Sequence, residues 1–110
     1  SGTLPALWGS FDAKLVQGAV RLNWNTLQEQ NTSHFVIEHS TDGRNYTAAG
    51  EVKAQGNSSS TAYYEFLHTT PPAAKTNYYR LRLVDLDGKE NVSQIRAVKQ
   101  VVDNEMVQLI

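Results

Sequence analysis

The sequence predicts an all-β fold, a seven-stranded antiparallel β-sandwich. Seven short segments alternate apolar and polar side chains with a period of two, which is the pattern of half-buried strands. Turn-forming residues separate most of these segments, and no stretch of twelve or more residues has the helical period. Half-apolar strands bury their inner rows only against each other, so we expect two packed sheets.

Length and composition exclude several classes of protein. A chain of 110 residues fits one domain with one core. The net charge of −1 gives no field that would attract nucleic acid, and no apolar run has the length of a transmembrane helix. Because the chain has no cysteine, it can form neither disulfides nor thiolate metal sites. We therefore expect no nucleic-acid partner and no membrane insertion.

The first predicted strand covers Leu4 to Lys14. Trp8 and Phe11 are three residues apart, so strict alternation would place them on opposite faces. A bulge at Gly9 would turn both side chains inward.

The second predicted strand, Gly18 to Asn25, follows a turn at Gln17-Gly18 and carries the largest core side chain. Its inward row is Val20, Leu22 and Trp24. The polar stretch that follows, up to Ser33, is predicted to be a loop.

The third, fourth and fifth strands follow. The third has Phe35 and Ile37 in its inner row and ends at a tight hairpin on Asp42-Gly43. The fourth, Asn45 to Val52, is anchored by Tyr46 and Val52. A loop at residues 55–60, flexible by composition, leads to the fifth strand, Thr61 to His68, with Tyr64 and Phe66 facing inward.

The last two strands follow a crossover at Pro71-Pro72, where two prolines prevent sheet pairing. Asn77 to Asp85 carries an inner row of Tyr79, Leu81 and Leu83. Asp87-Gly88 predicts a hairpin into a final strand, Val92 to Val102.

The sequence contains no recognisable catalytic, cofactor or metal set. His34, His39 and His68 have no metal-pair spacing and are expected at the surface or the sheet rim. Asp85 and Asp87 lack the further ligands of a calcium loop. Glu29 and Asn31 lie in the predicted loop after Trp24. The favoured interpretation is that the Glu29 carboxylate accepts loop N–H bonds; the alternative is an acid or a ligand.

Three aromatic residues are candidate glycan contacts because the sequence pattern leaves open whether their side chains face the core or the solvent. They are Trp8, Tyr63 and Tyr78. Two exposed aromatics on one sheet would form a stacking platform for sugar rings, although single exposed aromatics are common without any ligand.

The sequence resembles those of fibronectin type III domains, which have an immunoglobulin-like fold. LNW at residues 22–24, the crossover Pro71-Pro72 and YRLRL at residues 79–83 occur in the order of that family. The resemblance implies a tyrosine corner, in which the Tyr79 hydroxyl bonds an upstream backbone group. It also implies that the row of Tyr79 faces Trp24 from the opposite sheet.

The resemblance is closer to one subfamily. LPALWGSFDA, LNWNTLQEQNTSHFVIEHSTDGRNY, the loop at Gly56 and YYRLRLVDLDGK are similar to the fibronectin type III-like module of Bacteroidetes secreted and surface proteins. That module commonly precedes a type IX secretion sorting domain. The implied boundaries are residues 1–3 as a tag remnant and lead-in, 4–102 as the domain, and 103–110 as a linker or the start of a sorting domain.

These observations imply a monomeric, non-catalytic spacer or interaction module, extracellular or on the outer cell surface. Its expected partners are neighbouring domains of the same polypeptide, with the secretion machinery or a polysaccharide as further candidates. The alternative is a carbohydrate-binding or adhesin module that uses exposed aromatics. An enzyme would need carboxylates or a nucleophile and base converging in a cleft.

Overall fold

The computed structural model describes residues 6–100, which form eight β-strands and no helix. None of these residues forms a helix that is long and apolar enough to cross a membrane. The strands are β1 (Ala6–Val16), β2 (Ala19–Glu29), β3 (Thr32–Ser40), β4 (Thr47–Lys53), β5 (Ala62–His68), β6 (Thr76–Asp85), β7 (Glu90–Val92) and β8 (Arg96–Lys99).

The strands form two antiparallel sheets packed against each other. One sheet has three strands in the order β1-β2-β5. The other has five, with β4-β3-β6-β7 in sequence across the sheet and β8 also paired to β6. The predicted all-β class and its sandwich-like packing are confirmed, but the strand number is eight where the sequence predicted seven.

The additional strand arises because the predicted last strand is interrupted. β7 and β8 both pair with β6. The segment that joins β7 to β8 has one residue more than the stretch of β6 opposite it. Ser93 lies at this interruption, where its hydroxyl accepts the N–H of Leu81 at 2.9 Å and its own N–H donates to the Leu81 carbonyl. Val101 and Val102, which completed the predicted strand, lie outside the described residues.

The bulge predicted at Gly9 is present. The β1–β2 register shifts between Trp8 and Phe11, so that Phe11 is buried and Trp8 packs against the core. A β-carbon at Gly9 would overlap the Asn25 side chain, which bonds the Ser10 hydroxyl at 2.8 Å. Glycine at this position therefore lets one side chain of β2 fold over the bulge.

The loop predicted from Asn25 to Ser33 was wrong. β2 continues to Glu29, and β3 begins at Thr32, leaving a two-residue connection in which Asn31 has a positive φ of 53°. The polar end of β2 pairs with β1 as far as Glu29; on its other side it pairs with β5 as far as Thr26, and Glu29 then bonds the backbone of Ser58.

The tight hairpin predicted at Asp42-Gly43 was also wrong. Six residues, 41–46, connect β3 to β4, and the Asp42 carboxylate accepts the backbone N–H groups of Arg44 and Asn45, each at 2.8 Å. Tyr46 precedes β4, and its ring lies under the Arg80 guanidinium at 4.0 Å. The hairpin predicted at Asp87-Gly88 does connect β6 to β7, with Gly88 at a φ of +92°.

The core lies between the sheets and contains the predicted inner rows. Trp24 is 2% exposed, and seven other predicted core residues are fully buried: Val20, Leu22, Phe35, Ile37, Tyr79, Leu81 and Leu83. Phe66 is half-buried and packs against this cluster. The aromatic neighbours of Trp24 are Phe35 across the sandwich, 5.4 Å between ring centroids, and Tyr64 beside it at 5.6 Å.

Tyr79 has a different environment from the one predicted. Its ring packs against His39 and His68, and its hydroxyl contacts Nδ1 of His68 at 2.7 Å, where an upstream backbone group was expected. The crossover is bonded instead by Asn77, whose side-chain amide donates to the Pro72 carbonyl at 3.3 Å.

The described chain begins and ends at opposite ends of the sandwich. Ala6 pairs with Glu29, close to the point where Thr32 pairs with Asp85. Lys99 pairs with Thr76, which is the other end of β6. The chain therefore enters at one end of the strands and leaves at the other.

Candidate functional site

One concave site of interest is a cleft where the edge of β1 lies beside β7 and β8. Its volume is about 340 Å³, and its lining includes Trp8, Ser10, Ser93, Gln94 and Arg96. We call it the Trp8–Arg96 cleft. The bulge in β1 forms one wall, and the interruption between β7 and β8 forms the other.

Two contacts between the sheets fix the shape of the Trp8–Arg96 cleft. Nε of Arg96 donates to the Phe11 carbonyl at 2.7 Å, and Nε1 of Trp8 donates to the Asn91 side-chain oxygen at 3.3 Å. Arg96 is half-buried, and no acidic side chain lines the cleft. The cleft therefore presents an aromatic ring, a cation and neutral polar groups.

A buried carboxylate, that of Glu29, forms the second unusual arrangement. Glu29 is 5% exposed. One oxygen accepts the Thr32 hydroxyl at 2.6 Å and the Gln55 N–H at 3.0 Å; the other accepts the Thr26 hydroxyl at 2.7 Å and the Tyr64 hydroxyl. Burial acts to raise the pKa of Glu29, but the hydrogen bonds from Thr32, Tyr64, Thr26 and Gln55 outweigh it and leave that pKa below 4.5.

The prediction that the Glu29 carboxylate accepts loop N–H bonds is confirmed for one N–H group, that of Gln55; the other three donors are hydroxyls, and Glu29 lies at the end of β2 and not in a long loop. The loop at residues 55–60, predicted from its composition to be flexible, is hydrogen-bonded to this end of β2. The backbone of Glu29 exchanges two hydrogen bonds with Ser58, at 2.8 and 3.0 Å. Gly56 and Thr32 also exchange hydrogen bonds, and the Asn57 side chain accepts the Asn31 N–H at 2.9 Å. Glu29 thus holds the loop to the end of β2.

The surface location predicted for His39 was wrong. His39 is 9% exposed, and its Nε2 contacts Oδ1 of the buried Asn77 at 2.6 Å. The ring of His68 lies 5.2 Å from that of His39. No spacing rule signals this pair, because β3 and β5 belong to different sheets and only the fold brings them together. His34 is half-buried beside the Ser33 hydroxyl.

Lowering the pH from about 7 to about 5 should reduce the free energy of unfolding through His68. Burial, and then the charge of His39, lower the pKa of His68 below 6.5 in the folded state. The unfolded chain therefore binds a proton first, so the stability from this group is complete above about pH 6.5 and is lost as the pH falls through the folded pKa. Urea unfolding of wild type and His68→Gln at several pH values measures this. An equal slope in both proteins between pH 7 and 5 would exclude His68 as its source.

A charged ladder on the outer face of the five-stranded sheet was also absent from the predictions. The Glu38 carboxylate accepts hydrogen bonds from Nε of Arg80 at 2.6 Å and from Nε of Arg82 at 2.9 Å. A terminal nitrogen of Arg82 also lies 2.8 Å from the Glu90 carboxylate. Burial acts to raise the pKa of Glu38, and the two arginines lower it further than burial raises it. Glu38 is directly opposite Arg80 and diagonal to Arg82 in the register of β3 and β6, although these arginines are 42 and 44 positions away from it in the sequence.

The three candidate glycan contacts lie on three different surfaces. Trp8 lies in the cleft and packs on Phe35 at 6.0 Å between ring centroids. Tyr63 is 78% exposed on the outer face of the three-stranded sheet. Tyr78 is half-buried on β6, beside Gly43. The shared platform considered from the sequence is therefore not formed by these residues.

The aspartates of the β6–β7 hairpin bind backbone groups. Asp85 accepts the N–H groups of Asp87 and Lys89, at 3.2 and 2.8 Å. Among residues 6–100, no group of three or more His, Cys, Asp or Glu side chains is arranged to hold a metal ion.

Comparisons with known proteins show similarity of fold alone. No family model matches the sequence, and no curated protein matches it either. Among solved structures, pectate lyase Pel3 from Pectobacterium carotovorum is similar with a TM-score of 0.58 and 14% identity, over 86% of this chain and 28% of that one. A β-1,2-glucanase from Parabacteroides distasonis is similar with a TM-score of 0.56 and 18% identity, over 96% of this chain and 14% of that one. The chain thus spans less than a third of either enzyme and shares a sandwich-like fold with part of it.

Proposed function

We propose that the chain is a non-catalytic, fibronectin type III-like spacer and interaction module of a larger secreted or cell-surface bacterial protein. The observation that carries the proposal is the position of the first and last described strands: Ala6, where β1 begins, and Lys99, where β8 ends, lie at opposite ends of the sandwich. A domain of this kind separates its neighbours by the length of its strands. The nine residue steps from Thr76 to Asp85 along β6 correspond to about 30 Å.

Two further observations support this proposal. The chain passes between the sheets from β2 to β3, from β4 to β5 and from β5 to β6, which is typical of the connections in immunoglobulin-like sandwiches. Glu29 and Asp42, the two carboxylates that accept the most hydrogen bonds among the described residues, receive them from hydroxyl, side-chain amide and backbone N–H groups of the chain itself. The sequence resemblance extends the proposal to Bacteroidetes proteins with a type IX sorting domain. The proposed partners are then the adjacent domains and the export machinery.

A pair of spin labels tests the spacer geometry, because a chain without cysteine accepts labels only where they are introduced. The variant Leu7→Cys/Lys99→Cys should give one narrow distance distribution centred at about 30 Å or more, by strand length. Lys14→Cys/Lys99→Cys, with both labels near one end, is the matched control and should give a clearly shorter distance. A broad distribution, or equal distances in the two variants, would contradict the proposal.

A second candidate function is saccharide binding, favoured by the indole of Trp8 in the Trp8–Arg96 cleft. Aromatic rings in clefts provide the flat apolar surface on which sugar rings stack. The two similar solved structures are named as a pectate lyase and a β-1,2-glucanase, which is consistent with an accessory role next to saccharides.

A further inference from the structure

We propose that the Trp8–Arg96 cleft binds a saccharide that carries a carboxylate, with the carboxylate on the Arg96 guanidinium and the sugar ring against Trp8. This inference rests on the second candidate function above and names its ligand class. It is carried by the charge, the geometry and the size of the cleft.

Arg96 differs from the other arginines of the described chain. Arg21, Arg80 and Arg82 each pair with a glutamate, and Arg44 is exposed on the β3–β4 connection. Arg96 is half-buried and makes no salt bridge to any side chain within residues 6–100. A partly desolvated cation without a counterion favours an anionic ligand, since the ligand supplies the missing charge.

The orientation of Arg96 suits a carboxylate. Its Nε donates to the Phe11 carbonyl at 2.7 Å, which positions the planar guanidinium, and its two terminal nitrogens are neither buried nor hydrogen-bonded to another of residues 6–100. A guanidinium held in this way can donate two parallel hydrogen bonds to one carboxylate. The lining contributes no carboxylate of its own that would repel or replace this group.

The remaining lining fits the rest of an acidic sugar. The indole N–H of Trp8 is bonded to Asn91 at 3.3 Å, which fixes the ring, and Ser10 and Gln94 supply polar groups near it. A volume of about 340 Å³ is at the lower limit for ligand pockets, so it suits one sugar ring rather than a long segment. An aromatic wall with a fixed cation recognises a ring and a carboxylate together.

The experiment is an NMR titration of the whole chain with sodium glucuronate, glucose and sodium acetate at pH 7. The two tryptophans provide an internal control, since Trp8 lines the cleft whereas Trp24 is 2% exposed. Glucuronate should shift the Trp8 indole N–H resonance and leave that of Trp24 in place, with millimolar affinity that weakens as salt is added. Glucose and acetate should each bind more weakly than glucuronate, because each lacks one of the two recognised groups.

Arg96→Gln should weaken glucuronate binding about tenfold or more, as expected for loss of a charged hydrogen bond. Arg44→Gln, which removes an exposed arginine outside the cleft, should leave the affinity unchanged. Near-UV circular dichroism checks that both variants are folded. If Arg96→Gln does not fold, Arg96→Lys is used in its place. Lysine keeps the positive charge but lacks the two parallel N–H donors of the guanidinium, so Arg96→Lys should bind glucuronate more weakly than wild type.

The outcomes separate this inference from the function on which it rests. Equal affinity for glucose and glucuronate would overturn the carboxylate assignment and leave saccharide binding standing. Equal affinity for acetate and glucuronate would overturn the sugar assignment. If none of the three probes moves the Trp8 resonance, both the inference and the saccharide function are wrong.

Discussion

Replacing Trp24 by alanine should lower the free energy of unfolding by about 3–5 kcal/mol, the usual cost of removing a large aromatic side chain from a core. Trp24 is 2% exposed and contacts aromatic rings on both sides, Phe35 in the opposite sheet and Tyr64 in its own. The substitution would leave a cavity between the sheets that rigid neighbouring rings fill poorly. Urea unfolding at pH 7 measures the loss.

Trp24→Phe distinguishes packing from hydrogen bonding at the same position. Nε1 of Trp24 is buried and has no hydrogen-bond partner among residues 6–100, so the indole carries a desolvation cost of about 1–3 kcal/mol that phenylalanine removes. Trp24→Phe should therefore cost much less than Trp24→Ala. A loss as large as that of the alanine variant would show that the core does not tolerate a smaller ring.

The inner rows were predictable because alternation directly reports which side of a strand is buried. Val20, Leu22 and Trp24 on β2, and Tyr79, Leu81 and Leu83 on β6, are placed between the sheets as that rule requires. The Gly9 bulge was predictable for the same reason, since two large aromatic residues three positions apart cannot both face inward in a regular strand.

The predictions failed where polar side chains face inward. Polar residues after Trp24 were interpreted as a loop, yet Thr26 and Glu29 are buried and belong to β2. Thr26 donates its hydroxyl hydrogen to Glu29, and Glu29 can be buried because two of its other donors, Tyr64 and Gln55, come from a different part of the chain. Pattern rules classify each segment separately, so they do not detect a polar group that a distant segment satisfies.

The same limitation explains why the burial of His39 and the Trp8–Arg96 cleft were not predicted from the sequence. His39 is buried because Asn77 and Tyr79 of the neighbouring strand surround it, and 38 residues separate His39 from Asn77. The Trp8–Arg96 cleft combines the beginning and the end of the described chain, with Phe11 and Arg96 85 positions apart. Only the pairing of strands across the sandwich could reveal either arrangement.

Tyr64 links the Trp24 core to the Glu29 cluster. Its ring is nearly parallel to that of Trp24, at an interplanar angle of 17°, and its hydroxyl donates to the Glu29 carboxylate. The loop at residues 55–60, through Gln55 and Ser58, is bonded to the same glutamate. One end of the sandwich is therefore stabilised by a hydrogen-bonded carboxylate next to the apolar core.

Replacing Glu29 by alanine should lower the free energy of unfolding by about 3–5 kcal/mol, because it leaves buried donors without an acceptor. Glu29→Gln should cost less, about 1–2 kcal/mol. The amide oxygen can accept the fixed N–H of Gln55, while the hydroxyls of Thr26 and Tyr64 can rotate and accept from the amide nitrogen. Urea unfolding of the two variants at pH 7 measures the difference.

The pH dependence of the Glu29 variants tests whether the carboxylate itself is stabilising. The pKa of Glu29 is lowered in the folded chain, so the unfolded chain binds the proton first, and the stability from this group is present above about pH 4.5 and is lost as the pH falls through the folded pKa. Glu29→Gln should flatten the fall in stability below about pH 4.5. Tyr64→Phe keeps the ring on Trp24 and removes one donor, so it should retain most of that fall. If Glu29→Gln loses stability as steeply as wild type in acid, other carboxylates are responsible and the Glu29 cluster acts only through its shape.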